Sequence, residues 1–434
     1  MTAIAYGTGR MDRDHRLPLD RSSTDEEVRR VVADWVAATV PAPWREAAAN
    51  GGRAAIRTVR PRAAYEAWYP AFADSGLAVA TWPVAYGGLD LAPAQARVAE
   101  AVLAPYNLGR LNPLGLNSAA PALFAHGDED QRLRFLPPLV RNEEKWCQLL
   151  SEPGAGSDLA SLATRAERDG DEWVLNGQKV WTTWAHLSDF AICLTRTDPT
   201  VPKRRGLTYF VVDLHADGVT VRPLRHIGGE IDFNEVFLDD VRVPDSYRIG
   251  ATGDGWRVAG STLAGERQMV SGSGSGGVDR IGGSGVDHVI QRAVELGRAT
   301  DPHVRQQLMA RYSEERIRDW TNQRVRASVR AGGTPGPAGS IGKVHQGSLN
   351  QRLQRLAADL LGPGAVAWDG PAGDPEAWAA AMPYESRAML RSRANTIEGG
   401  TTEVNKNIVA ERVLGLPREP DPYVDAPWDE VPRS

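Results

Sequence analysis

The hydrophobic period of this 434-residue chain changes twice, and nothing else in the sequence constrains its fold as strongly. From about residue 24 the apolar positions recur every three to four residues, the spacing of a helix with one buried face. Thr24 and Glu27 form a capping-box pattern. Val28, Val31, Val32, Trp35 and Val36 follow on one face, and Pro41 stops the run. The spacing predicts further helices over roughly 62–75, 93–104 and 129–140, with Trp82-Pro83 and Tyr86-Gly87-Gly88 as a loop between them.

Between about Cys147 and Val243 the period becomes two. Asp169-Gly170 reads as a hairpin turn, with strand patterns at Trp173 to Leu175, Lys179 to Thr183, Phe190 to Thr195 and Leu207 to Leu214. Val219 to Leu224 and Val236 to Val243 extend the series, and Pro244 ends it. Short strands separated by turns predict a small barrel or sandwich. Helical spacing then returns until about Leu414. Val304, Leu308, Tyr312 and Ile317 line one helix; Ile341, Val344, Leu349, Leu353, Leu356 and Leu360 mark another. The last begins near Thr401-Thr402, uses Val404, Ile408, Val409, Val413 and Leu414, and meets stop signals at Gly415 and Pro417. Residues 271–285, mostly Gly and Ser, and 331–339, rich in Gly and Pro, read as loops between helices of one unit. No internal repeat is present.

A chain of this length exceeds what one hydrophobic core serves, so two or three packed units are expected. The net charge of −5 argues against a nucleic-acid or anionic-membrane surface, and no apolar run approaches membrane-spanning length. The N-terminus, with Asp12, Arg13 and Asp14 and no apolar stretch, lacks a signal-peptide pattern. Cys147 and Cys193 both lie in apolar stretches, as small core filler in a reducing compartment. The expectation is a cytoplasmic protein without a disulfide or a metal site.

Chemistry concentrates in two segments. Trp146-Cys147-Gln148-Leu149-Leu150-Ser151 runs into Glu152-Pro153-Gly154-Ala155-Gly156-Ser157-Asp158, where glycines let backbone amides approach a bulky or anionic ligand. About thirty residues on comes Asn176-Gly177-Gln178-Lys179-Val180-Trp181-Thr182-Thr183. In that order and separation the two resemble the flavin-binding signatures of the acyl-CoA dehydrogenase family. The resemblance covers roughly residues 25–418 and implies a multidomain α+β fold: a flexible N-terminus over 1–22 and an all-α domain over 23–145. A small β-barrel over 146–243, a four-helix bundle over 244–417 and a tail over 418–434 would follow.

The resemblance also implies roles. Trp181 would pack beside the isoalloxazine of FAD and Thr183 would bond near its N5. Gln148, Leu150 and Ser151 would line the pyrimidine edge. Gly156 and Ser157 belong to the glycine-bearing loop, and Ser157 matches a serine near the cofactor phosphate and the acyl-CoA. Gly400, Thr401 and Glu403 match a segment contacting FAD at the start of the last helix, where free amides and the helix dipole favour an anion. Oxidising a thioester at Cα–Cβ also needs a carboxylate in an apolar slot, where desolvation raises its pKa. At one of the family's two base positions this chain has Gly399, which cannot be a base. The other reads Leu263-Ala264-Gly265-Glu266-Arg267, so the resemblance implies Glu266 as base and Arg267 as a CoA contact, with Glu398 as the fallback base.

The chain departs from the family in two respects. It has no Arg-x-x-Phe-Gly motif after the base helix; Arg298 and Arg305 stand nearby, and Leu360-Leu361-Gly362-Pro363-Gly364 replaces the usual glycine-rich partner segment. The missing Arg-x-x-Phe-Gly motif and the Thr396-Ile397-Glu398-Gly399-Gly400-Thr401-Thr402-Glu403 segment resemble the heteromeric dehydrogenases that degrade steroid side chains in actinobacteria, in which a second, different subunit completes the FAD site. Three readings follow: an acyl-CoA dehydrogenase passing electrons to an electron-transfer flavoprotein, as a homo-oligomer or heteromer; a flavin monooxygenase or oxidase of the same fold; or a non-catalytic structural subunit.

Overall fold

The computed structural model describes residues 15–270, 285–331, 337–370 and 375–432, except the side chains of 53–54, 264–270, 329–330, 375–376 and 379. Residues 271–284 and 332–336 of the two glycine-rich loops expected at 271–285 and 331–339, and residues 1–14 of the terminus expected over 1–22, lie outside these residues.

Six helices form the first part: α1 (Asp25–Thr39), α2 (Ala42–Val59), α3 (Arg62–Asp74), α4 (Pro93–Leu103), α5 (Ala120–His126) and α6 (Glu129–Val140). Thr24 caps α1 reciprocally with Glu27, and Val28, Val32, Trp35 and Val36 face the core as their spacing requires. A π-turn over Gly115–Ala119 leads into α5. Ahead of α1, Leu19 is buried and Arg21 pairs with Asp90 at 2.9 Å.

Eight strands follow: β1 (Trp146–Leu149), β2 (Arg165–Asp169), β3 (Glu172–Thr183), β4 (Phe190–Arg196), β5 (Leu207–Asp213), β6 (Val219–Leu224), β7 (Phe233–Pro244) and β8 (Arg248–Ile249). They make one sheet in the order β6-β7-β3-β2-β4-β5-β8, with β1 parallel to β4 off that path. The turn between β2 and β3 is Gly170-Asp171, one residue beyond the expected pair, because Gly170 supplies the positive φ at its first position. β4 is buried on both faces. Ile192 and Leu194 pack with the N-terminal helices, whereas Ala191 and Cys193 face a second core with Trp173, Phe210 and Val236. Period two thus divides one strand between two cores. Both cysteines are free and buried, and burial pushes their thiols up to about 12 and about 11.

The last part holds α7 (Gly255–Val270), α8 (Val286–Glu295), α9 (Pro302–Arg330), α10 (Gly339–Leu360), α11 (Pro375–Ala381), α12 (Tyr384–Arg391) and α13 (Thr402–Arg412). Leu353, Leu356 and Leu360 of α10 pack against Val304 and Leu308 of α9 and Val286 and Val289 of α8. The first half of α10 buries Lys343, Gln346 and Asn350 instead, a polar column that the apolar spacing did not predict. After α13 the tail returns to the sheet. Trp428 is buried there, its ring under the Arg196 guanidinium at 4.6 Å and its indole N–H donating to Ser161 O at 3.2 Å. Among the described residues no helix is long and apolar enough to cross a membrane.

Candidate active site

The two signature segments meet in space. The Val180 amide donates to Ser151 O at 2.9 Å, joining β3 to the residue that follows β1. Beneath that contact Lys179 is fully buried, and its ammonium donates to Glu152 Oε1 (2.9 Å), Leu150 O (3.1 Å) and Leu194 O (2.7 Å). The Glu152 carboxylate also accepts the amides of Ala163 and Thr164 at 2.7 and 2.9 Å. Burial pushes the Glu152 carboxyl up, but the Lys179 charge and these bonds outweigh it and hold it below the usual range. Glu152 and Ala155 exchange backbone bonds of 3.0 Å across Pro153-Gly154, closing a tight turn that carries Gly156 and Ser157 into solvent. A Cβ on Gly154 or Gly156 would meet nothing within 4 Å, so that face of the loop is open.

At the far end of β3 the ladder with β7 shifts register between Lys179 and Thr182. Trp181 stands there at φ 61° and Trp184 at φ 55°, a conformation costing a bulky residue roughly 1–2 kcal/mol. The kink turns the Trp181 ring outward, 56% exposed, edge-on to Phe233 at 5.7 Å. Thr183 lies opposite Phe233 in the ladder, half-buried. Gln148 Oε1 on β1 is buried without a hydrogen-bond partner among the described residues. An outward aromatic face, an open glycine turn and an unpaired buried acceptor fit a planar ring with a polar edge. Leu150 contributes differently: its side chain is in the core and its carbonyl is taken by Lys179.

From the bundle side, Gly399 and Gly400 both have positive φ, at 63° and 84°, which reverses the chain ahead of α13. A glutamate at 399 would be strained in that backbone. Thr401 caps α13, its hydroxyl accepting the Val404 amide at 3.2 Å, and Glu403 is exposed in the first turn. Glu398 is not free: Arg391 holds both its oxygens at 3.1 and 2.9 Å, and Asn395 Nδ2 donates to Oε1 at 3.0 Å. Glu266 and Arg267 lie on α7, which packs against β5, α5, the π-turn and α10, but their side chains are outside the described residues. Arg298 and Arg305 flank the start of α9, both exposed.

One group of possible metal ligands occurs among the described residues: His226, Glu230 and Asp232, between β6 and β7. His226 Nδ1 accepts the Gly228 amide at 3.0 Å, so the ring proton sits on Nε2, facing Asp232 at 3.3 Å and Glu230 at 3.5 Å. Nε2 is thereby placed to donate to the two carboxylates.

Three family models cover nearly all of the chain: the acyl-CoA dehydrogenase N-terminal domain matches residues 22–143, the middle domain 147–241 and the C-terminal domain 253–414. The acyl-CoA dehydrogenase IpdE1 of Mycobacterium tuberculosis is 38% identical over 91% of this chain and 98% of its own length. The chain belongs to the acyl-CoA dehydrogenase family. Members of this family are flavoprotein oxidoreductases acting on CH–CH groups. IpdE1 of Mycolicibacterium smegmatis is 34% identical over 91% of this chain and 98% of its length. Among solved structures, the Tcur3481-Tcur3483 steroid ACAD superposes with a TM-score of 0.68 at 26% identity, covering 91% of this chain and 98% of that one. The ChsE4-ChsE5 complex from Mycobacterium tuberculosis does so with a TM-score of 0.65 at 26% identity over 92% and 100%. The expected acyl-CoA dehydrogenase architecture, helical at both ends with a central sheet, is what the fold shows.

Sequence reasoning missed three things. The Lys179–Glu152 pair had a signal: period two puts Lys179 on the same side of the strand as Trp173 and Leu175. Arg391 and the Trp428 contact had none, because their partners are remote in sequence.

Proposed function

We propose that this chain catalyses FAD-dependent α,β-dehydrogenation of an acyl-CoA thioester to the trans-2-enoyl-CoA, in the cytoplasm, with electrons leaving to an electron-transfer flavoprotein. The observation that carries the reading is the Val180–Ser151 junction over buried Lys179, which joins the segment leading into the glycine turn to the strand that carries the outward Trp181. Gln148, Ser151, Gly156, Ser157, Trp181 and Thr183 would hold FAD from the sheet; Gly400, Thr401 and Glu403 would approach it from the bundle. When bound, FAD accepts the hydride from Cβ. Glu266 would take the α-proton, a task that asks for a carboxylate shielded from water. Arg267 and Ser157 would contact the CoA portion, and Gly399 leaves the opposite base position without a side chain.

Two observations favour a heteromer. The Arg-x-x-Phe-Gly motif is missing, and the bundle exposes Ile397 and Leu414 at 66% and 65%. The Tcur3481-Tcur3483 steroid ACAD and the ChsE4-ChsE5 complex are each named for two components, which supports a second acyl-CoA dehydrogenase-like subunit and a bulky acyl group here.

The test is the visible spectrum of the purified protein, alone and co-expressed with a neighbouring family member, followed by anaerobic titration with a panel of acyl-CoAs. Bleaching of the flavin is the expected result. Glu266→Gln should keep the flavin colour and lose bleaching by about 10²–10⁴-fold in rate. A Gln variant bleaching at the parent rate removes Glu266 from the mechanism. Rapid peroxide release under air would favour the oxidase reading instead.

A further inference from the structure

Resting on the reading above, we propose that Arg391 is a positioning residue for the cofactor face: it clamps Glu398 as a fixed anchor and binds the Gly399–Thr401 turn to the Phe233–Trp181 wall. Arg391 ends α12 and lies at a junction of three elements. Its two terminal nitrogens hold both oxygens of Glu398 at 3.1 and 2.9 Å, the paired geometry that suits guanidinium to carboxylate. Its cationic carbon lies 5.6 Å from the centre of the Phe233 ring. Phe233 in turn meets Trp181 edge-on at 5.7 Å and faces Thr183 across the ladder. One side chain therefore touches both Glu398, the residue that leads into the bundle turn, and the aromatic wall of the sheet.

Behind Glu398 the anchor continues into α10. Asn395 donates to Glu398 Oε1 at 3.0 Å and accepts from Asn350 Nδ2 at 2.6 Å, while Gln354 donates to Asn350 at 2.8 Å. Lys343 donates to Asn395 O at 2.7 Å. Gly347 permits this approach, since a Cβ there would come within 2.8 Å of Asn395 O. Every member of this column except Glu398 is buried, which accounts for the polar first half of α10. A proton acceptor must exchange its partners as it works. Glu398, with three donors fixed on it and Gly399 between it and the turn, is built to stay where it is.

The experiment uses the flavin-loaded protein with Arg391→Met, Arg391→Lys and Glu398→Gln. FAD affinity, the flavin absorption bands and the rate of bleaching by an acyl-CoA are measured for each. Arg391→Met is expected to weaken FAD retention by roughly tenfold or more and to shift the flavin bands. Arg391→Lys, which keeps a cation over Phe233, should restore the bands while recovering only part of the affinity. Glu398→Gln should slow bleaching by about tenfold at most, against the 10²–10⁴ expected for loss of a base. Parent-like bands and affinity in Arg391→Met, or a base-sized loss in Glu398→Gln, would overturn the proposal while leaving the dehydrogenase reading intact. A parent protein whose flavin no acyl-CoA bleaches overturns that reading, and this proposal with it.

Discussion

Glu152 and Glu398 are both carboxylates beside the candidate cleft and both are paired with a cation, yet they are held in different ways. Glu152 sits inside the β unit, 8% exposed, with two backbone amides and a lysine that has no exposure at all. Glu398 sits where the bundle meets the sheet, its partner Arg391 still 18% exposed. The first pair stabilises a loop within one domain, and its components cannot separate without leaving a charge in the core. The second lies within the bundle, where its arginine also reaches the sheet at Phe233, and both partners are partly exposed. Stability should therefore depend on the first and cofactor geometry on the second.

The largest test of that contrast is Lys179→Met. It leaves Glu152 uncompensated and two carbonyls unpaired, and should cost about 3–5 kcal/mol, read as a fall in denaturant midpoint. Retention of parent stability would mean water enters the pair. A second test uses pH. Glu152 has a folded pKa below its ordinary value of about 4.3, so its contribution is fully present above that value and lost as pH falls through the lowered one. Melting temperature against pH should accordingly drop more steeply below pH about 4.3 in the parent than in Glu152→Gln; identical slopes would contradict the assignment. Thr401→Ala removes the cap of α13 and should cost about 1 kcal/mol, seen in the same denaturant series. Smallest of all, Glu398→Gln should change global stability by about 0–1 kcal/mol. A loss there as large as that of Lys179→Met would erase the distinction drawn between the two pairs.

Trp181 shows how far one motif can be read. A role beside a flavin is what the resemblance implies for it, and the structure turns the ring outward on a register shift and a positive φ that no propensity would suggest for tryptophan. The start of the last helix near Thr401-Thr402 was legible because capping is local, here spanning the three residues from Thr401 to Val404. Trp428 was not. Its burial depends on Arg196 and Ser161, more than 230 positions away, so the tail reads as surface until the sheet is assembled beneath it.

By itself the sequence determined the order of helical, β and helical units, the caps, the hairpin and the two signature segments, because each is set by contacts within a few residues. Only the tertiary structure decided that Lys179 pairs with Glu152, that Glu398 is clamped by Arg391 and that the first half of α10 is a polar column. Those outcomes depend on which distant groups share a buried space. There an unpaired charge or amide is costly, so partners, and not periodicity, set what each side chain does.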